Sequence, residues 1–351
     1  MSHTGEEMNM WKETTEKEKN LHIYNEEIRD FIPERLLDFH VHVFHDQVLK
    51  AHDPGFPLPG TRIRSYTIPE LISDMEKIYP GKRCSAVVFG FPDSKYDSDV
   101  NNQYVAANSD HRTVFPFRLL RPDEDPGVVR EELMSLRFLG VKPYLNYVQG
   151  KPSKDIEIFD MLPPRILEVI DNLGLMIMLH IPRKDRLADP VNQEQICQLA
   201  SRYQHTKIIL AHVGRAYYLS NIIGQLEHIR EFSNVYCDTS MVNHWEVFEY
   251  LFTHFDRRRI VYGTDLPIAV CGGKSIEINN QYTYVTSKPW FLSISDDHGK
   301  LVFTSFIYEQ IRAIRKAVER MGLDRGFLEN LFYKNGNTLI ENVMKERGIR
   351  V

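Results

Sequence analysis

The sequence predicts an α/β fold, a single (β/α)8 TIM-type barrel, and three observations predict it. Strand-like apolar runs alternate with helical segments along the chain. Eight such units fit into 351 residues, and a repeated β-then-α order implies a parallel sheet covered by helices. Polar residues close several of the apolar runs at the same end, where a barrel gathers its functional side chains. A doubly wound open sheet is the alternative. It would more often carry a glycine-rich phosphate turn after its first strand, whereas this strand runs into His45 and Asp46, with neither GxGxxG nor GxxxxGK[ST].

Each element has its own warrant. Residues 21–31 read as a short helix stopped near Pro33, and 35–44 (RLLDFHVHVF) have strand composition. Residues 46–65 are rich in Pro and Gly and read as a loop. A helix over 68–79 has Thr67 as its cap and Pro69 in its tolerant first turn. The run 85–91 (SAVVFGF) is continuous and apolar, as a strand covered on both faces requires. A helix at 101–110, a strand at 114–120 and a helix at 126–139 follow, the last stopped by Gly140. Then come a strand at 141–144, a helix at 159–173, a strand at 175–180 and a helix at 193–204. Residues 207–213 (KIILAHV) are a strand, 219–232 a helix, 235–239 a strand and 245–254 a helix. The eighth strand, 259–262, leads into GTDLP; a long amphipathic helix spans 303–321, and one or two more fill 324–343.

Residues 1–34 read as an N-terminal extension. Residues 35–345 read as the barrel domain, with an insertion at 271–300 after the eighth strand. A barrel needs about 250 residues, so the surplus belongs to these additions rather than to a second domain. The balance of 43 Lys+Arg against 48 Asp+Glu gives a net charge of −5 and argues against a generally basic nucleic-acid binder. No run approaches the ~18 apolar residues of a membrane span, and the polar start lacks the apolar region of a secretory signal. Four cysteines, far apart and without a CxxC, read as reduced thiols, so a cytoplasmic location is expected.

The strand ends carry the chemistry. His40 and His42, in DFHVH, are two apart on a strand and face the same side. His180 closes LMIML, His212 closes KIILA, and Asp265 follows VYGT. In a barrel these strand ends converge on one rim. Imidazoles with a carboxylate suit one divalent metal ion, zinc first and manganese as the alternative. Any one of these residues alone would read as an ordinary buried histidine or a turn carboxylate; the joint pattern on four strands is what points to a metal.

DFHVH, LMIMLH, KIILAHVGR and VYGTDLP, in this order, resemble the amidohydrolase superfamily of metal-dependent barrels. The closer likeness is to its amidohydrolase-related (family 2) branch, which includes hydrolases and enzymes similar to aminocarboxymuconate-semialdehyde decarboxylase. The resemblance runs from residue 36 to about 345, through LENLFYKNGNTLIE. It implies metal ligation by His40, His42, His180 and Asp265, with His212 facing the substrate and, with Asp265, acting in catalysis. Lys142, in GVKPY on the fourth strand, is a lysine that binuclear members can carboxylate; here it is expected to be free or to contact substrate. Arg183 (HIPR) and Arg215 (HVGR) are candidates to clamp a substrate carboxylate. An ion pair is the plain alternative for all three.

The expected function is metal-dependent hydrolysis of a small carboxylate-bearing molecule. The alternatives are non-oxidative decarboxylation of a small aromatic or muconate-like acid, and a non-catalytic barrel that only binds a small molecule. Neither a nucleic-acid nor a membrane partner is expected. Tyr282, Tyr284 and Trp290 in the insertion are candidates to line the pocket or to meet a second subunit, so a homodimer is one expectation.

Overall fold

Eight parallel strands carry the molecule: β1 (Arg35–His42), β2 (Arg83–Phe89), β3 (Val114–Leu120), β4 (Gly140–Pro143), β5 (Met176–Leu179), β6 (Lys207–Leu210), β7 (Val235–Asp238) and β8 (Ile260–Val261). The computed structural model describes residues 17–50, 52–296 and 298–350, and every count below is of those residues. The strands pair in chain order. Backbone hydrogen bonds then close the sheet between β8 and β1: Phe39 N donates to Tyr262 O at 2.8 Å, Asp265 N to His40 O at 2.9 Å and His42 N to Leu266 O at 2.8 Å. Except for Arg35 the whole of β1 is buried, and so is all of β3, as strands sandwiched between a barrel interior and a helical coat must be.

The coat follows from local signals. Thr67 caps the helix Ile68–Ile78 in a reciprocal capping box with Glu70. Asp97, Asp125 and Asp189 cap the helices Ser98–Ala107, Pro126–Ser135 and Pro190–Arg202 by accepting from first-turn amides. Trp245–His254 and Phe306–Met321 pack against each other on the outside.

Three expectations need correction. The helix expected over 219–232 is instead two short 3₁₀ turns, Leu219–Asn221 and Ile229–Glu231, with Gly224 between them at φ +74°. The segment 159–173 is split into Ile158–Met161 and Pro164–Asn172, because Pro163 and Pro164 offer no amides to carry one helix through. Strand β6 stops at Leu210, short of Val213, for a reason given below.

The additions are also ordered. The insertion folds as a three-stranded sheet, β9 (Gly273–Ile278), β10 (Gln281–Thr286) and β11 (Ser293–Ser295). Asn279 and Asn280, both at positive φ, make the tight turn between β9 and β10. The loop after β1 contains a small hairpin, Phe56–Leu58 with Thr61–Ile63. Hairpin and insertion meet: Gly60 N donates to Pro289 O at 2.9 Å, and Trp290 Nε1 to Pro57 O at 3.1 Å. In the expected N-terminal extension, residues 1–16 lie outside the described residues; Lys17–Ile23 is helical and continues into a π-turn, Tyr24–Ile28. No helix among the described residues is long and apolar enough to cross a membrane.

Candidate metal centre and cavity

Two histidines of β1 present the same ring nitrogen to one point. His42 Nδ1 donates to Gly90 O at 3.0 Å, and His40 Nδ1 to Asp238 Oδ2 at 2.8 Å. With each Nδ1 proton so committed, each Nε2 is a lone pair. Both face Asp265 Oδ1, at 3.2 Å from His42 Nε2 and 3.5 Å from His40 Nε2. Burial lowers the pKa of both imidazoles, which keeps them neutral. Three acceptors therefore converge on one spot, an arrangement that suits a cation among them. Lys142 Nζ, 3.3 Å from His40 Nε2, meets part of that need; burial pushes its pKa down to about 8.

Asp238, at the end of β7, supports this cluster and is a residue that the sequence reading does not single out. Besides His40 it accepts from His212 N and Ser240 N, each at 2.9 Å, and from Ser240 Oγ. His40, His212 and Asp238 also lie close enough together to hold an ion. Their geometry argues otherwise, because the Asp238 oxygens are already satisfied by N–H and O–H donors. Asp238 instead fixes the His40 tautomer, as outer carboxylates do for metal-binding histidines. Asp38 plays a similar bracing part between strands. It accepts from His40 N and Thr264 N, each at 3.0 Å, and from Thr264 Oγ1, tying β1 to the turn that carries Asp265. Burial pushes the Asp38 carboxyl up to about 7.

His212 opens an unusual turn. His212, Val213, Gly214 and Arg215 all have φ between +53° and +63°, one turn of left-handed helix. That is why β6 ends early: the chain leaves the strand to place both His212 and Arg215 on one cavity. His212 Nδ1 meets Ser240 Oγ at 2.8 Å and Ser240 O at 3.1 Å, leaving Nε2 free. Burial pushes its pKa down to about 4. His180, its ring 5.3 Å from that of His212, is stacked under Tyr144 at 4.7 Å, and its Nδ1 is buried without a hydrogen-bond partner.

A cavity of about 430 Å³ opens over these groups, with His180, His212, Asp265 and Arg215 in its lining. Tyr282, Tyr284 and Trp290 of the insertion complete it. Of the arginines expected there, Arg215 lines the cavity, and its NH1 donates to Ile181 O at 3.0 Å. Arg183 does not line it; its Nε donates to Asp189 Oδ1 at 2.8 Å, the plain ion pair. Arg186, three residues on, is in the lining instead. Arg118 is held in the wall by Glu124 and Glu132. His45 lies tilted against Tyr104, and His244 precedes the helix Trp245–His254 without a side-chain capping bond, both outside the cluster.

The amidohydrolase family profile matches residues 37–274, well over half of the chain and the eight strands but for the first two residues of β1. The chain belongs to the amidohydrolase family. Among solved structures, this amidohydrolase is similar in fold to 5-carboxyvanillate decarboxylase from Sphingomonas paucimobilis, at 15% identity and a TM-score of 0.54, covering 88% of this chain and 99% of that one. It is similar to a proposed 2-pyrone-4,6-dicarboxylic acid hydrolase from Pseudomonas putida, at 16% identity and TM-score 0.53, covering 88% and 98%. It is also similar to an amidohydrolase from Burkholderia multivorans with bound zinc, at 11% identity and TM-score 0.53, covering 87% and 99%. No curated protein matches it. Membership makes the chain an enzyme of a metal-dependent family, and the convergent His40, His42 and Asp265 give such a metal a place.

Proposed function

We propose that this amidohydrolase is a metal-dependent hydrolase acting on a small carboxylate-bearing molecule. The observation that carries the reading is the convergence of His40 Nε2, His42 Nε2 and Asp265 Oδ1 at a cavity whose lining includes a guanidinium, Arg215, with no carboxylate in ion-pair contact among the described residues. His40, His42 and Asp265 would hold one divalent ion, with His180 as a further donor. Imidazole and carboxylate donors favour zinc, with manganese second, and the Burkholderia multivorans neighbour binds zinc. Such an ion supplies Lewis acidity, polarising a carbonyl and making water a nucleophile near neutral pH.

The chain's own residues do the rest. Asp265, ionised, accepts the proton of the attacking water and returns it to the leaving group. His212, neutral through burial and with its Nδ1 proton turned to Ser240, offers the Nε2 lone pair to a proton of the reacting water. Arg215 holds the substrate carboxylate beside His180. Lys142 sits against His40 and stays a free amine in this reading.

Decarboxylation is the second reading, supported by the fold neighbours that act as decarboxylases on carboxylated aromatic acids. Here the carbon–carboxylate bond breaks, carbon dioxide leaves, and a proton that His212 or Asp265 first takes from water replaces it on carbon. Turnover of a substrate panel in ¹⁸O-labelled water separates the two. Label entering the product supports hydrolysis; carbon dioxide released without label in the product overturns it. Elemental analysis of the purified protein tests the metal itself, with about one equivalent expected.

A further inference from the structure

Arg186 is the cation of the cavity that the mechanism above does not use. Its Cζ stands 4.1 Å from the ring centroid of Tyr282 and 5.3 Å from that of Tyr217. Those two rings are themselves stacked at 4.5 Å. Its Nε is buried without a hydrogen-bond partner, and among the described residues no carboxylate forms an ion pair with it. The neighbouring acidic group, Asp189, is already taken by Arg183 and by the amides of Val191 and Asn192. The backbone accepts a left-handed conformation at Arg186, φ +57°, to bring the side chain here. A guanidinium held against aromatic rings loses little freedom when it binds an anion, and its planar fork matches a carboxylate. Arg215, whose Nε is also buried and unpartnered, supplies a first such group beside His180. The lining thus carries two guanidiniums, with aromatic walls between loop and insertion.

We propose that Arg186, braced by Tyr217 and by Tyr282 of the inserted sheet, is the specificity-determining residue of this cavity, and that it selects flat ligands carrying a second carboxylate. The proposal rests on the reading of the cavity as the substrate site. Arg186 is not placed at the reacting atoms. It acts by favouring one class of ligand, and the insertion takes part because Tyr282 holds the guanidinium in place.

The test is calorimetric binding of two probes, benzoate and isophthalate, to the full-length zinc-loaded protein, with zinc content measured on the same samples. The wild type is expected to bind isophthalate at least roughly tenfold more tightly than benzoate. Arg186→Gln should bring the two affinities to within about threefold, leaving that for benzoate unchanged. Tyr282→Leu, on a separate element, should lower the same ratio part of the way. With zinc in place, equal affinities in the wild type, no binding of either probe, or an unchanged ratio in Arg186→Gln overturns the proposal. Protein that takes up no zinc yet keeps the Arg186-dependent ratio would retain the proposal and defeat the metal reading instead.

Discussion

At the scale of single residues, the bond from His40 Nδ1 to Asp238 decides which nitrogen faces the cavity. Asp238→Asn would put an amide where a carboxylate accepts four donors, so the ring would lose its fixed tautomer. Metal affinity should fall by about 10- to 100-fold, measured by competition with a chromogenic chelator; wild-type affinity would remove Asp238 from the supporting role given to it. His40→Ala should lose the metal outright. His212→Asn, by contrast, should keep most of the metal and lose turnover, and full activity in that variant would show that its role is misassigned. The histidines and Asp265 are legible in sequence because each closes an apolar run at the same strand end. Asp238 closes one too, VYCD, and the same rule applied there would find it. Arg186 has no such signal, since its position depends on left-handed conformations in a loop, which no periodicity reports.

At the scale of elements, the left-handed turn His212–Arg215 is the most demanding piece of backbone at the site. Gly214 sits at φ +63°, and a Cβ added there would lie 2.8 Å from Leu187 Cδ1. Gly214→Ala should therefore cost about 1–3 kcal/mol of stability and lower turnover by moving His212 and Arg215 together. Thermal unfolding and kinetics on one preparation check this, and a variant with unchanged melting and rate would mean the turn is not strained. Most strands and helices were open to sequence reading because hydrophobic period and caps act locally. The 219–232 segment misleads because its apolar spacing is helical while Gly224 takes a conformation that ends helices. The inserted sheet has an alternating pattern around Asn279–Asn280, KSIEINNQYTYVT, the signature of a hairpin. Its place between a barrel strand and its helix makes the same stretch read as a loop.

At the scale of the whole molecule, the insertion is held to the barrel by a buried acid. Glu309, on the helix Phe306–Met321, accepts from Lys274 of β9 at 2.8 Å, from Thr304 at 2.6 Å and from Arg312 at 2.9 Å. Burial by itself would raise the Glu309 pKa, but these partners outweigh it and hold it below its ordinary value of 4.5. A carboxyl whose pKa is depressed on folding adds stability above the unfolded value, and that contribution fades as the pH falls through the folded value. Glu309→Gln should thus cost roughly 1 kcal/mol at neutral pH, kept modest because Lys274 is half-exposed. The gap to wild type should shrink as the pH is lowered past 4.5. Denaturant titrations across that range measure it, and a gap that widens toward acid would contradict the assignment. The overall closure of the barrel was legible from the count and order of units; how its additions join over the mouth was not, because Gly60–Pro289 and Trp290–Pro57 are contacts between distant segments.

The inserted sheet leaves and rejoins the barrel at nearly the same place, where Gly272 bridges Ser305 and Gly273 N donates to Thr304 O at 3.0 Å. A segment whose two ends already touch can be exchanged as a unit without opening the scaffold beneath it. The rim that carries the histidines and the piece that carries Tyr282, Tyr284 and Trp290 are therefore separable modules. Selection or design can recast the cavity wall by trading one cassette while the chemistry below stays as it is.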